Sequence, residues 1–319
     1  EPMNATALVT ADRCEVWAPT QNQAGCVAAA SQITGLGADR VTVHTTYLGG
    51  GLGRKVELDF VRQAITVAKA MPGKPVKLTW SREEDFTHDQ YRPSAMCQLS
   101  GGLDAQGNVV GITARVVSPS IGYQRGPARY DNPAAVDPSA VEGLVGNPYS
   151  LPSMRVEWVR DDAQVPVGYW RSVGNSHNVF FLESFVDELA AAAGKDPLAF
   201  RRTLLGSNQR ALALLDTLAQ QSGWGTPVRG RARGVAICQC FGTLVGEVAE
   251  VSGSTPATMR VQRVTVVVDP GTTINPDTVK AQMESAVVQG LGTALSGWMP
   301  FSAGSSRLSM PWPASAGVR

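Results

Sequence analysis

Two stretches of this sequence concentrate residues that could do chemistry. The first is Gly49-Gly50-Gly51-Leu52-Gly53-Arg54-Lys55. Glycines let a backbone approach a ligand closely and let successive N–H groups face one way, forming a nest for an anion, to which Arg54 and Lys55 would add positive charge. The spacing excludes two familiar phosphate motifs: Arg54 stands where a dinucleotide fingerprint needs its last glycine, and Lys55 is preceded by Arg54 and followed by Val56, where a phosphate loop needs Gly before and Ser or Thr after. The alternative is a tight crossover turn with no ligand. The second stretch runs from Tyr169 to Asn178 and contains Arg171, Ser172, Gly174, Ser176 and His177 at a predicted helix start. Donors, a cation and a helix dipole would converge there on an anionic or oxo-bearing ligand. Plain capping by Ser176 or Asn178 is the alternative.

Ser176 and His177 also raise a serine hydrolase acting on small acyl esters, with helix-start amides as the oxyanion hole. Adjacent Ser and His side chains rarely bond one another, so the base would have to be His44, His88 or another group. The chain contains neither G-x-S-x-G nor S-x-x-K. Glu83, Glu84 and Asp85 read as a solvated helix start, and Glu183, Asp187 and Glu188 as packing and salt bridges on one helix. The five cysteines are scattered, and Cys238 and Cys240 have no second pair to complete a zinc site. No metal site built from protein side chains is expected.

These stretches need elements to position them. Residues 6–18 read as two short strands around Asp12-Arg13, and Gln23 to Thr34 as a helix stopped by Gly35. Arg40 to Tyr47 alternates as a half-buried strand entering the glycine run, and Val56 to Met71 is a helix with Leu58, Val61, Ile65 and Ala68 on one face. Strands follow at Pro75–Trp80, Ala95–Leu99, Val109–Ser118 and Met154–Val159. Gly122 to Pro152 reads as an ordered functional loop or a lid. From Val179 to Ala193 the pattern Phe180, Phe181, Ser184, Phe185, Glu188, Leu189 reads as a strongly amphipathic helix. Asp196-Pro197 begins another helix and Gln209 to Gln221 a third. Strands at Gly234–Phe241, Leu244–Val251 and Met259–Val268 and a helix from Thr278 to Leu295 complete the pattern. Trp298 to Arg319 has no periodicity and reads as an irregular tail.

The chain has 319 residues, 43% apolar, with a formal net charge of +1. That balance speaks against a nucleic-acid binder, which needs excess positive charge to displace counterions. No apolar run approaches the roughly 20 residues of a membrane span. Glycine (33) and proline (20) are in excess, as in a turn-rich fold of many strands.

VWAPTQNQ, GLGADRVTVHTTYLGGGLGRK, GKPVKLTWSREEDF and YWRSVGNSHNVFFLESFVDELA, in register with GEVAEV, VDPGTTINPD and QMESAVVQGLG, resemble the molybdenum hydroxylases. This is the xanthine dehydrogenase and aldehyde oxidase family, in its large cofactor-binding subunit, and the likeness is greatest to isoquinoline-oxidising members. The resemblance implies an α+β fold of mixed sheets with packed helices, in two molybdopterin-binding-type regions, 1–205 and 206–297, followed by a tail, 298–319, that reads as non-homologous to the family. It implies molybdopterin cytosine dinucleotide held between domains. Gly50, Gly51, Leu52, Gly53 and Gly174 would lie at the cofactor and Arg171 beside the metal centre. Leu52 stands where relatives commonly carry Phe, and Val173 replaces an aromatic residue. A small aldehyde or azaheterocycle would be hydroxylated with oxygen from water, electrons leaving through a separate iron–sulfur subunit. The family's M-G-Q-G motif and the glutamate of G-x-G-E-P are absent, and Glu1-Pro2-Met3-Asn4 resembles the middle of a longer protein. The expectation is therefore an interior piece that lacks cofactor or activity alone. A further alternative is a non-catalytic scaffold completed by a partner subunit and prone to self-association.

Overall fold

Alternation sets the first sheet. The computed structural model describes residues 1–127, 132, 135–162, 165–255 and 258–296. Asn4–Val9 (β1) and Cys14–Ala18 (β2) pair antiparallel, burying alternate residues. Thr10 and Asp12 close the turn between them. Gln23–Thr34 (α1) carries the chain over to Val41–Thr45 (β3), which runs parallel to β2. Asp59–Ala70 (α2) then leads to Val76–Thr79 (β4) on the far side of β1, giving the order β3-β2-β1-β4. Phe60, Val61, Ala64, Ile65 and Ala68 form the buried stripe of α2 and meet Ala5, Ala7, Val16 and Ala18 of the sheet. Small residues on the strands let the helix approach, and each large side chain buried contributes about 1.5–3 kcal/mol.

Two boundaries differ from the sequence reading. β3 ends at Thr45 and is an edge strand, so Tyr47 is fully exposed. Alternation there shows strand propensity, while edge position decides how little is buried. Helix α2 starts at Asp59 because Arg54–Val56 first make a 3-10 turn. The glycine run thus leads into a tight turn, and Leu58 serves as the helix cap, partly buried against the same core as the stripe.

Arg82–His88 (α3) follows, capped by Ser81, whose hydroxyl accepts from the Glu84 N–H. Glu83 and Glu84 face solvent, while Asp85 is buried and pairs with Arg82. Met96–Leu103 (β5) and Val109–Ser118 (β6) form a hairpin, and Met154–Arg160 (β7) joins β6 in parallel. Between β6 and β7 the described residues include two short helices, Ile121–Arg125 (α4) and Pro138–Val141 (α5). The described part of Gly122 to Pro152 is therefore more regular than a lid. Buried Asp137 holds it, accepting from Ser120 Oγ at 2.6 Å, the Gly122 N–H at 2.9 Å and the Ser139 N–H at 2.9 Å.

Asn175–Ala192 (α6) starts four residues earlier than expected and lies on β5, where Gly101 leaves room for Phe185 and Leu189. Its buried face is Asn178, Leu182, Glu183, Val186, Leu189 and Ala190, whereas Phe180 is 68% exposed. The hydrophobic face read from the phenylalanines is rotated, because Phe180, Phe181 and Phe185 line an open groove with Cys97 and Leu99. Pro197–Leu205 (α7) is capped by Asp196, which accepts from the Leu198 and Ala199 N–H groups.

The chain divides into two compact units: Glu1–Leu212 with Cys238–Phe241, and Ala213–Ile237 with the residues from Gly242 on. Ala232–Cys240 (β8), Thr243–Ser252 (β9) and Arg260–Asp269 (β10) form a sheet in the order β10-β9-β8. Gln209–Ser222 (α8) supplies Leu214 and Leu218, which pack on β9 at Gly246. Arg233 pairs with buried Glu250 and donates to the Gly223 carbonyl at 2.7 Å, satisfying the end of α8. Asn275 caps Pro276–Ser296 (α9). Among the described residues no helix is long and apolar enough to cross a membrane. The Trp298–Arg319 tail lies outside the described residues.

Candidate functional site

The glycine run is shaped by polar residues upstream of it. Gln21 Oε1 accepts from the Gly53 N–H at 3.0 Å, the Gln21 N–H donates to the Lys55 carbonyl at 2.9 Å, and Asn22 Nδ2 donates to the Val56 carbonyl at 3.2 Å. Gly50 (φ +102°), Leu52 (φ +51°) and Gly53 (φ +93°) are left-handed. A left-handed leucine costs roughly 1–2 kcal/mol and is worth maintaining only where its surroundings fix it. The N–H groups of Gly50, Gly51 and Leu52 donate to no group among the described residues. Nothing lies within 4 Å of the position a Gly50 side chain would take. An open backbone cradle with uncommitted amides fits the oxygens of an anionic or oxo-bearing group.

The second run makes a turn with two consecutive left-handed residues, Ser172 (φ +68°) and Val173 (φ +46°). Arg92 reaches it from 79 or more positions upstream. Its Nη2 donates to the Arg171 carbonyl at 3.0 Å, and its Nη1 to the Val173 carbonyl at 3.2 Å and to Ser176 Oγ at 2.9 Å. On the other side, a Cβ on Gly174 would lie 2.1 Å from the Ser139 carbonyl oxygen. Asn178 Nδ2 donates to the Ala140 and Glu142 carbonyls, both at 2.9 Å. Gly174 is thus committed to backbone packing.

The two runs interlock. A Cβ on Gly53 would lie 2.4 Å from the Tyr169 carbonyl oxygen and 3.1 Å from the Trp170 nitrogen. Stretches over a hundred residues apart in sequence therefore meet backbone to backbone. Arg125 stacks on Tyr169 at 4.6 Å and pairs with Glu57 at 2.9 Å beside this contact.

Three expectations are corrected. Arg54 and Lys55 do not lend their charge to a ligand: both are buried, Arg54 paired with Asp59 and Asp89 and Lys55 with Glu1. Burying a cation is tolerated when carboxylates accompany it, and here they neutralise it within the fold. Ser176 and His177 do not form a nucleophile and base. Ser176 Oγ is engaged by Arg92 and Ser172, and neither ring nitrogen of His177 has a hydrogen-bond partner. The other histidines are also elsewhere: His44 stacks on Trp17 and pairs with Glu15, and His88 pairs with Glu84. The serine-hydrolase alternative has no support. Among the described residues no three His, Cys, Asp or Glu side chains gather as a metal site. Gln21, Asn22 and Arg92 were not singled out from the sequence, although Thr20-Gln21-Asn22 stands within a quoted segment; Arg92 carries no periodic signal.

His177 lines a cavity of about 10 Å³ with Arg92, Trp170, Val173 and Gly174, room for about one water. Burial, aided by the Arg92 charge, lowers its pKa to about 4. Below the ordinary value near 6.5 the unfolded chain takes up a proton that the folded chain refuses, so stability present above pH 6.5 is lost as pH falls toward 4. Thermal midpoints measured from pH 7 to pH 4 should fall less steeply in His177→Gln than in the parent. Equal slopes would place the acid sensitivity elsewhere.

Family models described as molybdopterin cofactor-binding domain match residues 1–205 and 229–309. The second match runs into the segment read as the tail. The beta subunit of isoquinoline 1-oxidoreductase from Brevundimonas diminuta is 31% identical over 303 residues, covering 92% of this chain and 38% of that protein. The membrane-bound aldehyde dehydrogenase (pyrroloquinoline-quinone) of Gluconacetobacter polyoxogenes is 27% identical, covering 92% of this chain and 42% of its own length. In structure, quinoline 2-oxidoreductase from Pseudomonas putida 86 superposes with a TM-score of 0.59 at 18% identity, over 80% of this chain and 34% of that one. The chain belongs to the molybdopterin cofactor-binding domain family, with the mixed-sheet α+β architecture expected for it. It spans about two fifths of the length of these two curated relatives.

Proposed function

We propose that this chain is the molybdopterin-binding part of an oxidoreductase that hydroxylates an aldehyde or an N-heterocycle with water-derived oxygen. The observation that supports the reading is the interlock of Gly53 with the Tyr169–Trp170 backbone, which joins the segment carrying the open amides of Gly50–Leu52 to the segment leading into the Arg171–Gly174 turn. When bound, molybdopterin supplies a redox centre that accepts two electrons from the substrate. The chain's own residues would bind and orient: the Gly50, Gly51 and Leu52 amides donate to anionic or oxo oxygens, and Arg171 adds a cation beside them. Arg54 and Lys55 stay out of this role. Leu52, 55% exposed, presents an apolar side chain for an aromatic or aliphatic substrate to rest on.

The substrate class follows the names of the two curated relatives, one acting on isoquinoline and one on aldehydes. The cytosine dinucleotide form and an iron–sulfur partner subunit follow from the resemblance in sequence. The name of the second relative includes a quinone cofactor, and the family match of this chain favours molybdopterin over it. Elemental analysis tests the reading. Protein purified from a host that makes molybdopterin should carry molybdenum at about one atom per chain, and nucleotide released by acid should be CMP. A chain free of molybdenum from such a host, both alone and co-expressed with its partner subunit, would sink it.

A further inference from the structure

The Arg171–Gly174 turn is a conformation that its own residues do not favour. Two successive left-handed residues without glycine, one of them the β-branched Val173, each cost on the order of 1–2 kcal/mol. The local bonds closing the turn are the Val173 N–H to the Trp170 carbonyl at 2.8 Å and the Asn175 N–H to the Ser172 carbonyl at 2.9 Å. Side chains hold these carbonyls: Ser172 Oγ donates to the Arg171 carbonyl at 2.5 Å and Ser176 Oγ to it at 3.3 Å, and Arg92 alone among the side chains reaches both the Arg171 and the Val173 carbonyls. The Arg92 guanidinium straddles the strained pair, gripping the carbonyl before Ser172 and the carbonyl of Val173, and its Nη1 also binds Ser176 Oγ in the first turn of α6.

The segment that carries Arg92 is itself pinned to the approach of the turn. The Tyr91 N–H donates to the Pro166 carbonyl at 2.8 Å, the Gly168 N–H to the Tyr91 carbonyl at 3.0 Å, and Trp170 Nε1 to the Gln90 carbonyl at 2.8 Å. Residues 90–92 thus run beside 166–170, and the guanidinium extends that pairing into the turn. A planar fork with donors in fixed directions can meet three acceptors at once, which an ammonium on a flexible stem cannot do in the same geometry.

We propose that Arg92 is the positioning residue of this site: it fixes the backbone of Arg171–Gly174, and with it the direction in which the Arg171 side chain leaves the chain. The proposal rests on the reading above for what Arg171 faces, while the clamp itself rests on the three bonds. Ser176 acquires a role here too, as the hydroxyl that ties the clamp to α6.

Amide hydrogen exchange of the full chain, with the Arg92→Lys and Arg92→Ala variants, tests it. Arg92→Lys keeps charge and bulk, so it should fold. The Val173, Asn175 and Ser176 amides should exchange at least about tenfold faster, those of β1 and β2 staying at the parental rate. Added guanidinium should restore slow exchange in Arg92→Ala. In molybdenum-loaded protein, Arg92→Lys should retain its metal content yet shift the absorption spectrum of the bound group. Unchanged exchange at the turn in Arg92→Lys, or faster exchange throughout the unit, overturns the proposal. Parent protein without molybdenum, combined with the local exchange effect, upholds the clamp and sinks the functional reading instead.

Discussion

Gly53→Ala should cost this protein both its fold stability and its cofactor, while Gly50→Ala should cost only the cofactor. The difference lies in what each new methyl group meets. At Gly53 it would sit 2.4 Å from the Tyr169 carbonyl oxygen and 2.6 Å from the carbonyl carbon, and φ is +93°. Backbone cannot swing aside as a flexible side chain can, so either the 169–170 segment or the glycine turn must move. The left-handed penalty of roughly 1–2 kcal/mol adds to that displacement, for a total of about 2–4 kcal/mol. In a unit of this size each kcal/mol lowers the thermal midpoint by about 2–4 °C. A drop of roughly 5–15 °C is expected, together with loss of bound molybdenum, because the open amides no longer sit beside the Arg171 turn. At Gly50 the methyl group meets nothing within 4 Å. Its conformational penalty alone lowers the midpoint by only a few degrees, but the group projects into the cradle and should displace the ligand. A parental midpoint in Gly53→Ala would show that the two runs do not depend on each other.

How much of this was legible in the sequence varies with the physics involved. Element types followed from periodicity and capping: β6 and the Asp196-Pro197 start of α7 lie where the sequence places them. These signals are local and need no tertiary partner. The glycine run and the Arg171–His177 run were legible as places of unusual chemistry, because glycine clusters and polar helix starts are rare in plain core. Their meeting was not, since a contact between Gly53 and Tyr169 is a property of the assembled backbone. Charge was read least well. Arg54 and Lys55 look like ligand-facing cations in a string of letters, yet Asp59 pairs with Arg54 from the next helix, and Asp89 and Glu1 reach the two cations from distant parts of the sequence. Arg92 was invisible for the opposite reason, as a single arginine in an aperiodic stretch whose three acceptors lie some eighty residues away. The rotated face of α6 has a similar cause. Phenylalanine spacing indicates one stripe, but the helix buries Leu182, Val186, Leu189 and Ala190 together with Glu183, which Arg201 on α7 receives.

That buried cation supports the second large effect. Arg201 is fully buried, and its Nε donates to Glu183 Oε2 at 2.9 Å, its Nη2 to the Glu183 carbonyl at 3.0 Å and its Nη1 to Asp187 Oδ1 at 2.5 Å. The other oxygen of Glu183 accepts from the Tyr149 hydroxyl at 2.6 Å, and burial beside that carboxylate pushes the Tyr149 pKa well above its usual value. Each charge left water at a cost that only its partners offset. Arg201→Ala would remove the cation that faces Glu183, 5% exposed, and should destabilise the chain by about 3–5 kcal/mol. Asp187→Asn should cost well under 1 kcal/mol, since that side chain is 45% exposed and shares its charge with water. The decisive measurement is the double variant Arg201→Met with Glu183→Leu, followed by urea unfolding. If the penalty of Arg201→Ala comes from an uncompensated charge, removing both charges should recover most of it, with a coupling of some 2–3 kcal/mol. Additive losses would mean instead that Arg201 acts by packing α7 against α6. The outcome bears on the site as well, because α6 begins at Asn175, immediately after the turn that Arg92 holds. A helix that shifts at its Glu183 turn would carry Ser176 away from the guanidinium.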